Sequence, residues 1–309
     1  MNKTKYLLTN EEKEVFNRWL SARKDNAEAN LKACFNNHFK KKDSIHEAMC
    51  YALYNGGKRL RPIMVYEGAA IAGAEIQKVA PAACALEMIH CYSLVHDDLP
   101  AMDDDDYRRG KPTCHKVFGE AMAILAGDAL LTGAFELLAS IPCQNDQDQI
   151  RLLRVIAELS SAAGSSGMIG GQVIDLESEG KSIDYPTLVN LHALKTGKLF
   201  IAALRTGAIL GGIDDMKLHK LTEYGLHFGQ AFQITDDILD ITGDEKEVGK
   251  PLGSDEKNSK NTYPSIFGLE KSLQMAKEQI NKCILSLNDF GKEADFLRWL
   301  AYYILSRSS

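Results

Sequence analysis

Apolar residues recur at spacings of three and four through nearly the whole chain, and stretches that alternate apolar with polar between turn residues are few. This periodicity predicts an all-α protein, with helices over roughly 10–40, 44–55, 61–73, 77–98, 117–139, 147–178, 185–211, 215–242, 262–288 and 292–306. No repeat, low-complexity tract or domain linker interrupts it, so residues 1–309 read as one helical domain. Two polar connectors stand out, Asp103 to His115 and Gly243 to Asn261. Each reads as a solvated linker, or, beside a ligand site, as a lid.

The polar positions that break the apolar pattern carry the chemistry. Asp97-Asp98-Leu99-Pro100-Ala101-Met102-Asp103 and Asp236-Asp237-Ile238-Leu239-Asp240 each interrupt a core-forming helical stretch. Like charges in apolar surroundings repel and lose solvation, so such clusters persist where cations neutralise them. Mg²⁺ fits, because it takes hard oxygen ligands and is completed by substrate phosphates. At about 100° per residue, Asp236 and Asp240 lie about 40° apart on one helix face, with Asp237 flanking them. In an unbroken helix Asp97 and Asp103 would differ by about 240°. Pro100 lacks an N–H and crowds the carbonyl of His96, so the helix should kink or bulge there and bring Asp103 round.

Composition narrows the partners. The net charge of −6 over 309 residues argues against a general nucleic-acid binder, and much of the acidity sits between Asp97 and Asp106. Seven cysteines, an odd number with no CxxC pair, suggest neither a disulfide framework nor a zinc site, and fit a reducing, cytoplasmic setting. The first residues lack the apolar core of a signal peptide. No apolar run is read as reaching the about 18 residues of a transmembrane helix, and the C-terminus carries no prenylation motif, so stable membrane insertion is not expected.

A cationic counterpart accompanies the aspartates. Gly56-Gly57-Lys58-Arg59-Leu60-Arg61-Pro62 joins two predicted helices, with glycines allowing close backbone approach and Pro62 suited to a first helical turn. Arg108-Arg109 follow the first acidic cluster, Lys195-Thr196-Gly197-Lys198 interrupts an apolar helix, and Lys250 lies after the second cluster. Singly these are surface charges. Together with metal-ligating carboxylates they describe a site for two anions, one held through metal and one through guanidinium forks. His90 lies within about 20° of Asp97 on the same helix face. Gln233 stands three residues before Asp236, and Gln172 and Asp175 repeat that spacing as outer support.

These motifs, in this order and with Gly127-Asp128-Ala129-Leu130 between them, resemble the trans-prenyl diphosphate synthases over nearly the whole chain. The resemblance implies an isoprenoid-synthase-type helical bundle around a deep central cavity, a homodimer, and condensation of isopentenyl diphosphate with an allylic diphosphate. It implies Mg²⁺ ligation by Asp97, Asp103 and Asp236, supported by Asp98, Asp237 and Asp240. Arg108, Lys195 and Lys250 are similar to allylic diphosphate contacts, with Lys260 held more loosely. Gly57, Lys58, Arg61, His90 and Arg109 are similar to the isopentenyl diphosphate pocket, and Thr196 and Gln233 to groups facing the allylic cation. Tyr92, with Ser93 beside it and Pro100-Ala101 inserted in the motif, resembles the farnesyl-forming pattern; the alternative product is geranylgeranyl diphosphate. A terpene cyclase would lack need of the second anion pocket, a regulatory subunit would have lost aspartates, and Asp103 to Asp106 lack the spacing of a calcium loop.

Overall fold

The computed structural model describes residues 8–242 and 261–306. Its elements run α1 Asn10–His38, α2 Ser44–Leu53, α3 Leu60–Ile71 and α4 Ile76–Asp97, then a ribbon of β1 Tyr107–Arg108 and β2 Lys111–Pro112. There follow α5 Cys114–Phe118, α6 Glu120–Ala139, α7 Asp146–Ala163, α8 Met168–Ser178, α9 Tyr185–His192, a π-helical turn Ala193–Gly197, α10 Lys198–Gly211 and α11 Asp215–Thr242. The described chain closes with α12 Tyr263–Phe267, α13 Leu269–Ser286, a 3₁₀ turn Lys292–Ala294 and α14 Asp295–Ser306. The all-α expectation holds, the exception being the ribbon, in which Tyr107 pairs with Pro112 and Arg108 with Lys111.

Three predicted helices are in fact broken, each at glycine, and a fourth is interrupted in its winding without ending. Gly119 and Gly268 adopt φ of 83° and 78°, which separates α5 from α6 and α12 from α13. The stretch predicted as 147–178 parts between Gly164 and Gly167, where a Cβ on Gly167 would run into the Ala162 carbonyl oxygen. The stretch predicted as 185–211 carries the π-helical turn. Composition also misled at α6, which is long and apolar enough to cross a membrane by length and composition alone. Ala123, Ala126, Leu130, Ala134, Leu137 and Leu138 on this helix are buried within the chain.

Close backbone contact fixes how the bundle's central helices cross. α3 runs along α10, α4 along α6, and α11 along α13. At the first of these crossings a Cβ on Gly68 would strike the Leu204 carbonyl, and one on Gly207 would strike the Val65 carbonyl and sit 2.7 Å from the Ala69 nitrogen. Glycine there gives up helix propensity, by about 1 kcal/mol relative to alanine, for interhelical approach. Gly207→Ala should therefore lower stability by about 1–3 kcal/mol through overpacking, despite its better propensity. Thermal unfolding checks this: a melting temperature at or above that of the parent would show that α3 and α10 have room to separate.

Candidate active site

The first acidic segment is built by ending a helix. α4 stops at Asp97, and the chain folds back through Pro100 so that the Asp103 N–H donates to the Asp97 carbonyl at 2.9 Å and the Asp104 N–H to the Leu99 carbonyl at 3.1 Å. Asp104 takes a left-handed φ of 49° to complete the turn. Termination thus replaces the expected kink or bulge, and it still returns Asp103 to Asp97. Burial pushes the Asp97 carboxyl up to about 6; Lys195 opposes this, and Asp103 adds to it. Asp98 turns away and takes Arg108, with Nε to Oδ1 at 2.6 Å and Nη2 to the same oxygen at 2.5 Å.

The second acidic segment lies on α11, and its three aspartates have different surroundings. Asp236 is exposed towards the same cavity as Asp97, whereas Asp237 and Asp240 are buried and lie outside its lining. Asp236 and Asp240 therefore do not share the cavity face as the helical wheel suggested. The 40° offset over one turn, read as about the same face, is enough to rotate Asp240 into packing. Asp237 accepts from Gln233 Nε2 at 2.9 Å and from the Tyr263 N–H at 2.9 Å.

Facing α11, the π-helical turn carries Lys195 and Thr196. Its wider turn adds a residue to the helix without ending it, which displaces these two side chains from the regular α10 face. Glycines clamp it on two sides: a Cβ on Gly171 would meet the Lys195 backbone, and one on Gly229 would sit 2.8 Å from the Gly197 Cα. Lys195 Nζ donates to Asp175 Oδ2 at 2.6 Å, and Thr196 Oγ1 donates to Gln233 Oε1 at 3.1 Å.

Cations gather at the other end. Arg59, at φ 53°, is buried and donates to Glu87 Oε1 at 2.6 Å and to the Leu53 carbonyl at 2.8 Å, tying α2 and α4 to the start of α3. Arg109 donates to the Gly56 carbonyl, and a Cβ on Gly57, whose φ is 119°, would stand 2.7 Å from its guanidinium carbon. Glycine is required there on both counts. Arg61 lies 4.7 Å over the Phe200 ring, with its Nε buried and lacking a hydrogen-bond partner among the described residues. Burial lowers its pKa to about 10, against Glu87. His90 is driven well below its ordinary value by burial and then by Arg61 and Arg109, so it stands as a neutral imidazole among guanidiniums.

One cavity of about 1040 Å³ unites these pieces. It is lined by Gly57, Lys58, Arg61, His90, Tyr92, Ser93, Asp97, Arg108, Arg109, Lys195, Thr196, Gln233 and Asp236, with Leu94, Leu131, Met168, Phe200 and Phe232 among its apolar surfaces. Lys250 and Lys260 lie outside the described residues. Tyr92 is buried, its hydroxyl has no partner among the described residues, and its ring meets His96 edge-on at 5.8 Å. Sequence reasoning gave no role to Lys24, Glu87 and Asp128, which also line the cavity, and read Arg59 only as one cation of the Gly56 to Pro62 segment. Glu87, a lone acid in the apolar run of α4, was the legible signal for the pair with Arg59.

Among the described residues no group of three or more His, Cys, Asp or Glu side chains stands ready to hold a metal ion. A hard divalent ion that uses one or two carboxylates per segment and takes its remaining oxygens from water and phosphate needs no such cage. The half-buried Asp97, its carboxyl raised by burial and by Asp103, has the donor chemistry for that ion.

A family model described as polyprenyl synthetase matches residues 42–302. The farnesyl diphosphate synthase of Geobacillus stearothermophilus is 50% identical over 236 residues, covering 76% of this chain and 78% of that one. The geranylgeranyl diphosphate synthase of Cyanophora paradoxa is 44% identical over 86% of this chain and 88% of that one. The crystal structure of an FPP/GFPP synthase from Zymomonas mobilis superposes with a TM-score of 0.81 at 39% identity, covering 93% of this chain and 98% of that one. With the helical bundle, the paired aspartate segments and the cationic pocket in one cavity, the chain belongs to the polyprenyl synthetase family.

Proposed function

We infer that this chain is a prenyltransferase that condenses isopentenyl diphosphate with dimethylallyl or geranyl diphosphate to give farnesyl diphosphate. The single observation that carries the reading is that Asp97 and Asp236 share one largely apolar cavity with Lys58, Arg61, His90 and Arg109. Such a cavity suits two diphosphates and a hydrocarbon between them. Asp97, Asp103 and Asp236 would hold Mg²⁺, which when bound neutralises the leaving diphosphate and supplies Lewis-acid assistance to ionisation.

The chain's own residues supply the rest. Lys195 and Arg108 are anchored by Asp175 and Asp98, so their charges are held at the wall where the allylic diphosphate lies. Arg61 and Arg109, with Lys58, grip the other diphosphate, and neutral His90 offers a hydrogen bond without adding charge. Thr196 and Gln233 present oxygens to the positive charge that develops on the allylic fragment. Leu94, Phe200 and Phe232 exclude water from that charge. Arg61 and its neighbours aim the isopentenyl double bond at it, and the proton lost as the new double bond forms goes to the released diphosphate.

Homodimer formation is supported by the apolar residues left exposed on adjacent helices, Leu125 on α6 and Ile150 and Leu153 on α7. Seven free thiols support a reducing cytoplasm. Product length rests on Tyr92, a buried ring in the cavity lining five residues before Asp97. A geranylgeranyl product would need more room at that ring.

Incubating the protein with labelled isopentenyl diphosphate, each starter and Mg²⁺, then sizing the products, should give farnesyl diphosphate; no condensation with any starter would refute the reading. Asp97→Ala should cut turnover by on the order of 10³ or more with a native circular dichroism melt. Near-normal turnover of that folded variant would remove Asp97 from the site. Tyr92→Ala should shift the products to longer prenyl chains, and an unchanged distribution would take Tyr92 out of length control.

A further inference from the structure

Asp237 presents a carboxylate that is buried, 3% exposed, and directed away from the cavity. Each of its oxygens already accepts a hydrogen bond. Oδ1 takes Gln233 Nε2 at 2.9 Å, one helical turn back on α11, and Oδ2 takes the backbone N–H of Tyr263 at 2.9 Å. Tyr263 is the first residue of α12, so this N–H is one that the helix cannot satisfy itself.

The consequence falls on Gln233. A side-chain amide has a donor end and an acceptor end, and Asp237, being acceptor-only when ionised, fixes which end points where. With Nε2 held by Asp237, Oε1 turns to the cavity side and accepts from Thr196 Oγ1 at 3.1 Å. Because Thr196 donates its hydroxyl hydrogen to Gln233, its own lone pairs are left for whatever occupies the cavity. A relay of Tyr263 N–H, Asp237, Gln233 and Thr196 thus ends in two oxygens on the cavity wall. Tyr263 is further fixed by its ring stacking on His192 at 5.6 Å, immediately before the π-helical turn that carries Thr196.

We propose that Asp237 is a positioning residue for the prenyl transfer: by orienting the Gln233 amide and tying it to the start of α12, it holds the Thr196 and Gln233 oxygens towards the site of developing positive charge. The role rests on the prenyltransferase reading above and is distinct from the metal-ligand role implied for Asp237 by family resemblance. A preoriented dipole stabilises the transition state and leaves ground-state binding nearly unchanged.

A double-mutant cycle tests it. Asp237→Asn must present an N–H where one of the two donors now binds, so the amide turns or the Tyr263 contact is lost. The expected result is a fall in kcat of about 10–100-fold with KM for isopentenyl diphosphate within about 3-fold of the parent. Calorimetric affinity for a non-ionising allylic thiodiphosphate, and the Mg²⁺ concentration needed for that binding, should likewise stay within about 3-fold. In a Gln233→Met background, Asp237→Asn should cost less than about 3-fold more, because both changes disable one device. Losses that multiply, or a tenfold rise in the Mg²⁺ requirement for analogue binding, would overturn the positioning role. Should Asp237→Asn fail to fold, Asp237→Ser takes its place: a fall in kcat at constant analogue affinity that largely vanishes in the Gln233→Met background supports the proposal, and losses that multiply contradict it. A parent protein that condenses no substrates would instead refute the function on which the proposal rests.

Discussion

Charge of both signs is held against one apolar cavity, and neither end is fully neutralised by the protein. Asp97 carries a carboxyl pushed up to about 6 by burial, and across the same space Arg61 has a guanidinium lowered to about 10 and a buried Nε with no partner among the described residues. Both shifts record the cost of keeping ions in a low-dielectric wall. Closing the two ends onto each other would release that cost and destroy the site. The fold keeps them apart, so that a cation can complete one end and an anion the other.

Keeping them apart is the task of the surrounding packing. Gly68 and Gly207 let α3 and α10 touch backbone to backbone, which sets where the helix bearing Arg61 can lie. The Arg59–Glu87 pair, buried at both partners, joins the start of α3 to α4, the helix that ends in Asp97. Gly171, Gly197 and Gly229 hold the π-helical turn between α8 and α11, so Lys195 and Thr196 project from a segment fixed on two sides. Rigid placement matters because dipoles and cations that are already oriented need not reorganise as charge develops.

Much of this was legible in the chain. Period-three-and-four apolar spacing revealed the helices, since burying a stripe imposes it whatever the partner. The paired aspartate segments and Gly56 to Pro62 stood out because they violate that pattern, and the cavity brings Asp97, Asp236, Lys58 and Arg61 together. What stayed hidden depends on tertiary contacts. Asp240 looked to share a face with Asp236 on a helical wheel, with Asp237 flanking them, but the wheel does not say which side α12 covers. The π-helical turn leaves no local signature in Ala193 to Gly197 beyond a glycine, because the close approach of Gly171 and Gly229 makes it possible. Arg59 and Arg109, with φ of 53° and 56°, occupy a backbone region that sequence assigns to glycine or asparagine, held there by Glu87 and Leu53 in one case and by Gly56 in the other.

Calorimetric titration with inorganic diphosphate, once in excess Mg²⁺ and once in a chelator, addresses the two-ended cavity most directly. Two diphosphates per chain should bind with Mg²⁺ present, and one, at the arginine end, without it. The same stoichiometry in both conditions would contradict the division of the cavity into a carboxylate end that needs a metal and a guanidinium end that does not.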